Sequence, residues 1–91
     1  MATFQPYMVT VRFYEELNDF LPRQWRKKDI PVESSDRRSV KDLVESLGVP
    51  HVEIDLILAN GESVDFSYII QEGDRISVYP EFERLDISNV T

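Results

Sequence analysis

Asn60-Gly61-Glu62-Ser63-Val64, followed after a short gap by Glu72-Gly73-Asp74-Arg75-Ile76-Ser77-Val78-Tyr79-Pro80, sets the frame of this chain. Asn-Gly is the strongest short-range hairpin signal, because both central residues of a type I′ turn take positive φ. Glu72-Gly73-Asp74 marks a second turn. Ile76-Ser77-Val78-Tyr79 then alternates as a strand, which Pro80 ends. Between the two turns lie Phe66, Tyr68, Ile69 and Ile70, predicted to form one turn of helix tucked under a sheet.

Working back from the hairpin, Val52, Ile54, Leu56 and Leu58 alternate with Glu53, Asp55 and Ile57, which predicts a strand with Ile57 on its far face. Before it, Val40, Leu43, Val44 and Leu47 fall at helical spacing, predicting a helix over Ser39 to Leu47. Ser39 is a good N-cap, Asp42 suits the first turn, Gly48 supplies a left-handed stop, and Pro50 blocks continuation. Near the N-terminus Tyr7 to Tyr14 alternates with period two. Val9, Val11 and Phe13 face one way, and Met8, Thr10, Arg12 and Tyr14 the other. Asp29-Ile30-Pro31-Val32-Glu33 is a second strand, and Pro31, which has no N–H to donate, puts it at an edge or a bulge.

Composition narrows the function classes. The chain has 91 residues, which predicts one domain over 1–91, with a core of about 7–80 and a tail from 81 to 91. There is no cysteine, which excludes disulfides, thiolate chemistry and cysteine-containing zinc sites. His51 is the lone histidine, so a site built on several histidines is excluded. No apolar run approaches a membrane span and residues 1–6 do not read as a signal peptide, so a soluble, cytoplasmic protein is expected. No phosphate-binding glycine loop or nucleophile–base set is legible. The expectation is a protein that is not an enzyme, with no cofactor and no metal.

The formal charge of −7 is unevenly spread. Residues 1–22 carry a net −2 and residues 42–91 a net −9. Residues 23–41, with Arg23, Arg26, Lys27, Lys28, Arg37, Arg38 and Lys41 against Asp29, Glu33 and Asp36, carry +4. A basic segment on an acidic body can turn one face toward a polyanion.

Strand, strand, helix, strand, short strand, strand, with one main helix packed across a mixed four- to five-stranded sheet, is the β-grasp (ubiquitin-like) α+β arrangement. Its first and last strands are expected side by side in the middle. The second half resembles the small sulfur-carrier proteins of thiamin and molybdopterin biosynthesis. Those carriers end in Gly-Gly, whereas the glycines here, Gly48, Gly61 and Gly73, are isolated, and Pro80 is followed by Glu81-Phe82-Glu83-Arg84-Leu85. The resemblance therefore implies the fold without thiocarboxylate chemistry.

Four stretches carry a more specific resemblance: Val11 to Pro22, Ser39 to Leu58, Gly61 to Tyr68, and Gly73 to Pro80. Together they are similar to the ubiquitin-like domain found in front of the Mut-seven-type C-terminal RNase domain, a PIN-like nuclease module. The nuclease's acidic metal-binding residues have no matching positions here, so none is carried over. The chain is then expected to be either the N-terminal part of such a protein or a free-standing relative. The resemblance implies a non-catalytic binding module that positions an RNase domain in cis or recruits RNA or protein. The alternative is a degenerate sulfur carrier retained as a regulatory or interaction subunit.

Two surfaces are candidates. Arg23-Gln24-Trp25-Arg26-Lys27-Lys28 sets an aromatic among cations, a pattern that pairs phosphates with charge and bases with a stacking plane. Arg37, Arg38 and Lys41 extend it toward the helix start, where free amides would favour an anion. The same segment also fits a solvated hairpin with Trp25 anchored on the core. The second surface is the outer sheet face: Met8, Arg12, Tyr14, Ile57 and Tyr79, with Thr10 and Ser77, suited to docking a partner. It equally fits a mixed face covered by the apolar residues of the tail, Phe82, Leu85, Ile87 and Val90.

Overall fold

The computed structural model describes residues 5–81. The tail residues Phe82 to Thr91 lie outside them. A five-stranded sheet of order β2-β1-β5-β3-β4 carries a helix on one face. Its elements are β1 (Tyr7–Phe13), β2 (Ile30–Ser34), α1 (Val40–Ser46), β3 (Ile54–Ala59), β4 (Glu62–Val64) and β5 (Arg75–Pro80), with 3-10 turns at Glu15–Phe20, Arg23–Trp25 and His51–Glu53. β1 and β5 run parallel in the middle, and the other pairings are antiparallel.

The Asn60-Gly61 turn and the Gly73-Asp74 turn meet in space. Asn60 and Gly61 both take positive φ, +54° and +88°, as the hairpin turn requires. The Asn60 side chain then reaches across to the second turn: its Nδ2 donates to Asp74 Oδ1 at 2.8 Å, and its Oδ1 accepts from Arg75 N at 2.9 Å. Asp74 Oδ2 accepts from Tyr68 Oη and from Gln71 N, both at 2.8 Å, and Thr10 N donates to Asp74 O at 2.9 Å. One buried carboxylate thus ties the hairpin, the 66–72 segment and the start of β5 together beside β1.

Val9, Val11 and Phe13 of β1 and Ile76 and Val78 of β5 are buried against Val40, Leu43 and Val44 of α1. Each such apolar side chain contributes about 1.5–3 kcal/mol by leaving water. α1 begins at Ser39, whose Oγ accepts from Asp42 N. It ends at Gly48 (φ +94°), and Val49 N and Leu47 N both return to Val44 O. β2 is an edge strand, as Pro31 predicts. Opposite Pro31, the amide of Thr10 turns toward β5, so the nitrogen that lacks a proton faces the open edge.

Three expectations are corrected. Residues 66–70 form a turn, closed by Tyr68 N to Asp65 O, with Ile69 bridging Ser39; they are not a helical turn. Val52 is not in a strand but 75% exposed in a 3-10 turn, and β3 begins at Ile54. Within β3 the pairing shifts between Ile54 and Leu56: Ile54 lies opposite Pro80 and Leu56 opposite Tyr79. This bulge reverses the alternation. Ile57 is 3% exposed in the core, while Leu56 and Leu58 take the outer face.

Candidate functional site

The face opposite α1 is built by the alternate residues of the central strands. β1 contributes Met8, Thr10, Arg12 and Tyr14 just beyond its end, β5 contributes Arg75, Ser77 and Tyr79, and β3 contributes Leu56 and Leu58. Of the residues assigned here from sequence, Met8, Arg12, Tyr14 and Tyr79 do share this face. Ile57 does not, because the β3 bulge turns it inward. Leu56 and Leu58 take the place intended for it, and they were missed because alternation read from the sequence carries no sign of a bulge.

Contacts among its own side chains order this face. The Tyr14 and Tyr79 rings stack, with centroids 4.5 Å apart and planes 10° apart. The Arg12 guanidinium lies 5.7 Å from the Tyr14 ring centroid. Asp29, at the entry to β2, accepts a bidentate pair from Arg75 at 3.0 and 3.2 Å and lies 3.6 Å from Arg12. The hydrogen bonds from Arg75, then its charge and that of Arg12, hold the Asp29 carboxyl below its ordinary range. Arg75 is pushed up by the same partner. Burial first, then the neighbouring Tyr14, raises the Tyr79 phenol. Two guanidiniums against one carboxylate leave this corner cationic, beside an aromatic stack and two leucines. Met8, 43% exposed, stands at the other end of β1.

The basic surface assigned from sequence is divided in two. Ile30 lies opposite Val11 and Ser34 opposite Tyr7, so the length of β2 separates the cations on its N-terminal side from those on its C-terminal side. At about 3.4 Å per residue, that is roughly 14 Å. Arg23, Trp25, Arg26, Lys27 and Lys28 sit at one end, and Arg37, Arg38 and Lys41 beyond the other. The second group also loses its physical basis. The amides of Val40 and Lys41 donate to Tyr68 O and Phe66 O, and Asp42 N donates to Ser39 Oγ. The first-turn amides expected to hold an anion are already engaged by the chain. Arg38 donates to Asp42 O at 3.4 Å, and Arg37 borders an open cleft of about 400 Å³ that it shares with Glu72.

The first group is held firmly. Asn18, buried, donates through Nδ2 to Phe13 O and Glu15 O and accepts from Lys27 N at 2.6 Å. Arg26 Nε donates to Leu21 O at 2.9 Å, and Arg12 donates to Lys27 O at 3.1 Å. Trp25 is 36% exposed and the preceding Phe20 42%, so neither belongs to the buried core and each leaves part of its surface open.

Elsewhere, His51 Nδ1 pairs with the Glu45 carboxylate, which is held below its ordinary range mainly by that hydrogen bond. Among the described residues no group of three or more His, Asp or Glu side chains could hold a metal ion. Among them, too, no helix is long and apolar enough to cross a membrane.

A helix packed on one face of this mixed sheet, with parallel β1 and β5 at its centre, defines the β-grasp class shared by ubiquitin-like modifiers and sulfur carriers. The match narrows further: the profile of the family described as Mut7-C ubiquitin aligns with residues 7–86, and the chain belongs to that family. Among solved structures it is similar to small archaeal modifier protein 1 from Haloferax volcanii, at 15% identity over 84% of this chain and 99% of that one, TM-score 0.63. It is also similar to a putative molybdopterin converting factor subunit 1 from Pyrococcus furiosus, at 18% identity over 84% and 99%, TM-score 0.63. A comparison with curated proteins finds no match.

Proposed function

We propose that this domain is a non-catalytic docking module whose outer sheet face holds a partner protein. The first partner proposed is an RNase domain of the Mut-seven type, the association that the sequence resemblance implies. The observation that carries the reading is the Tyr14–Tyr79 stack next to the Arg12–Asp29–Arg75 group, on the face that α1 leaves uncovered. Large aromatic and arginine side chains, already fixed in place, lose little freedom on binding and dominate protein interfaces. Leu56, Leu58 and Met8 add apolar area around them. A partner suited to this face brings an apolar patch with a carboxylate near Arg12 and Arg75.

The test is a pull-down with Tyr14→Ala and Tyr79→Ala. Capture of the partner is lost in both while thermal stability stays near that of the wild type. Unchanged capture in both removes the sheet-face proposal.

The likeness to the molybdopterin converting factor subunit supports a second reading, a former sulfur carrier that still occupies the groove of an adenylating enzyme. With no paired glycines in the sequence, it would sit there without being activated. Co-purification with such an enzyme supports it. Absence of a complex at high protein concentration sinks it.

A further inference from the structure

We propose that the loop from Phe20 to Lys28 is a preorganised binding site for single-stranded nucleic acid. Trp25 and Phe20 are its stacking planes, and Arg23, Lys27 and Lys28 its phosphate contacts. The residues from Arg23 to Lys28 contain four cations and no acid. All of Pro22 to Asp29 is exposed. Among the described residues, Arg23, Lys27 and Lys28 have no carboxylate partner, whereas Arg12 and Arg75 are both drawn to Asp29. The cations best placed for an outside partner are therefore the ones that no internal acid neutralises.

The aromatic planes decide the class of partner. An acidic peptide would use the charge and leave two half-exposed rings in water. A base-paired duplex offers no free base face. An unpaired strand uses both, phosphates on the cations and bases on the rings.

The backbone is set for this beforehand. Lys27 takes φ +58°, a conformation that is costly for a residue with a side chain. Asn18 holds its N–H and Arg12 its carbonyl, so the loop keeps one shape. A fixed loop loses little entropy on binding. The net −7 of the chain repels a polyanion at a distance, so binding depends on the short-range contacts of this loop.

The full 91-residue chain is titrated with a fluorescein-labelled oligouridylate of about twelve nucleotides, read by anisotropy. Trp25 is the sole tryptophan, so quenching of its own fluorescence reports on the same loop. Saturable binding is expected, with parallel quenching. Three phosphate contacts on a single strand predict that affinity falls roughly 20-fold between about 50 and 200 mM salt. Lys27→Glu/Lys28→Glu abolishes binding. Trp25→Ala, at unchanged charge, weakens it at least about fivefold, and Trp25→Phe, which keeps a ring, retains most of it. Met8→Glu, at the far end of the docking face, leaves it unchanged, which separates this site from the protein-docking one. Circular dichroism confirms that each variant is folded. The proposal is overturned by absence of saturable binding at low salt, or by Trp25→Phe and Trp25→Ala both binding like the wild type. It is also overturned if a glutamate-rich peptide of similar length binds as tightly, since the loop would then be a site for acidic protein.

Discussion

Asn18 and Asp74 each bring a polar group into the protein interior, and each is matched there by three hydrogen bonds. Asn18 closes the 15–27 loop from within. Asn18→Ala leaves two carbonyls and the Lys27 amide unmatched. It is expected to cost about 1–3 kcal/mol in denaturant unfolding and to change Trp25 fluorescence. Asp74 accepts from Asn60, Tyr68 and Gln71. Asp74→Ala is expected to cost about 1.5–3 kcal/mol by the same measurement. The Tyr68 hydroxyl, donating to that carboxylate, has its pKa raised above the ordinary tyrosine value. Its contribution to stability is therefore complete below the unfolded-state pKa, near 10, and is lost as pH climbs through the raised folded value. Tyr79 is raised too and acts with the same sign. Thermal midpoints measured from neutral to strongly alkaline pH should fall at the alkaline end, and fall less steeply in Tyr68→Phe. An equal alkaline slope in that variant would sink the assignment. At this scale the turns were legible: Asn60-Gly61, Gly73, Ser39 and Gly48 all act locally, as their residue types indicate. The full partner sets of Asp74 and Asn18 were not, because Asn60 lies 14 residues from Asp74 and Lys27 nine from Asn18, and only the fold brings them near.

Among the elements, β1, β2, α1 and β5 follow from periodicity because each has one apolar and one polar face. β3 does not follow. Ile54, Leu56, Ile57, Leu58 and Ala59 are all apolar, so either parity fits the sequence, and the shift opposite Pro80 and Tyr79 decides between them. The consequence is measurable. Ile57→Ala is expected to lose about 2–4 kcal/mol, as a core truncation does, whereas Leu58→Ala loses about 1 kcal/mol or less. Equal losses in urea unfolding would contradict the bulge. The 66–70 segment misled for a related reason. Its apolar residues suggest a helix, but its carbonyls serve the amides at the start of α1, a role that needs an extended path. That same contact removes the anion site expected at the helix start.

For the whole molecule, charge along the chain is a poor guide to charge on the surface. The run from Arg23 to Lys41 reads as one basic patch, but β2 carries its two parts to opposite ends of the sheet. What remains are two neighbouring surfaces served by one arginine: Arg12 braces Tyr14 on the outer face and holds Lys27 O in the loop. The fold was legible almost throughout, since the order of elements and the turn chemistry leave little else. The outer sheet face was legible only in part, because the positions of Leu56 and Leu58 depend on a register that no local pattern reveals.

The most direct test of the proposed docking face is a calorimetric titration of this chain with the RNase domain proposed as its partner, supplied as a separate protein. Binding is expected for the wild type, with affinity at least about tenfold weaker in both Met8→Glu and Tyr14→Ala, and thermal midpoints close to the wild-type value. No binding by the wild type, or equal binding by both variants, would contradict the account.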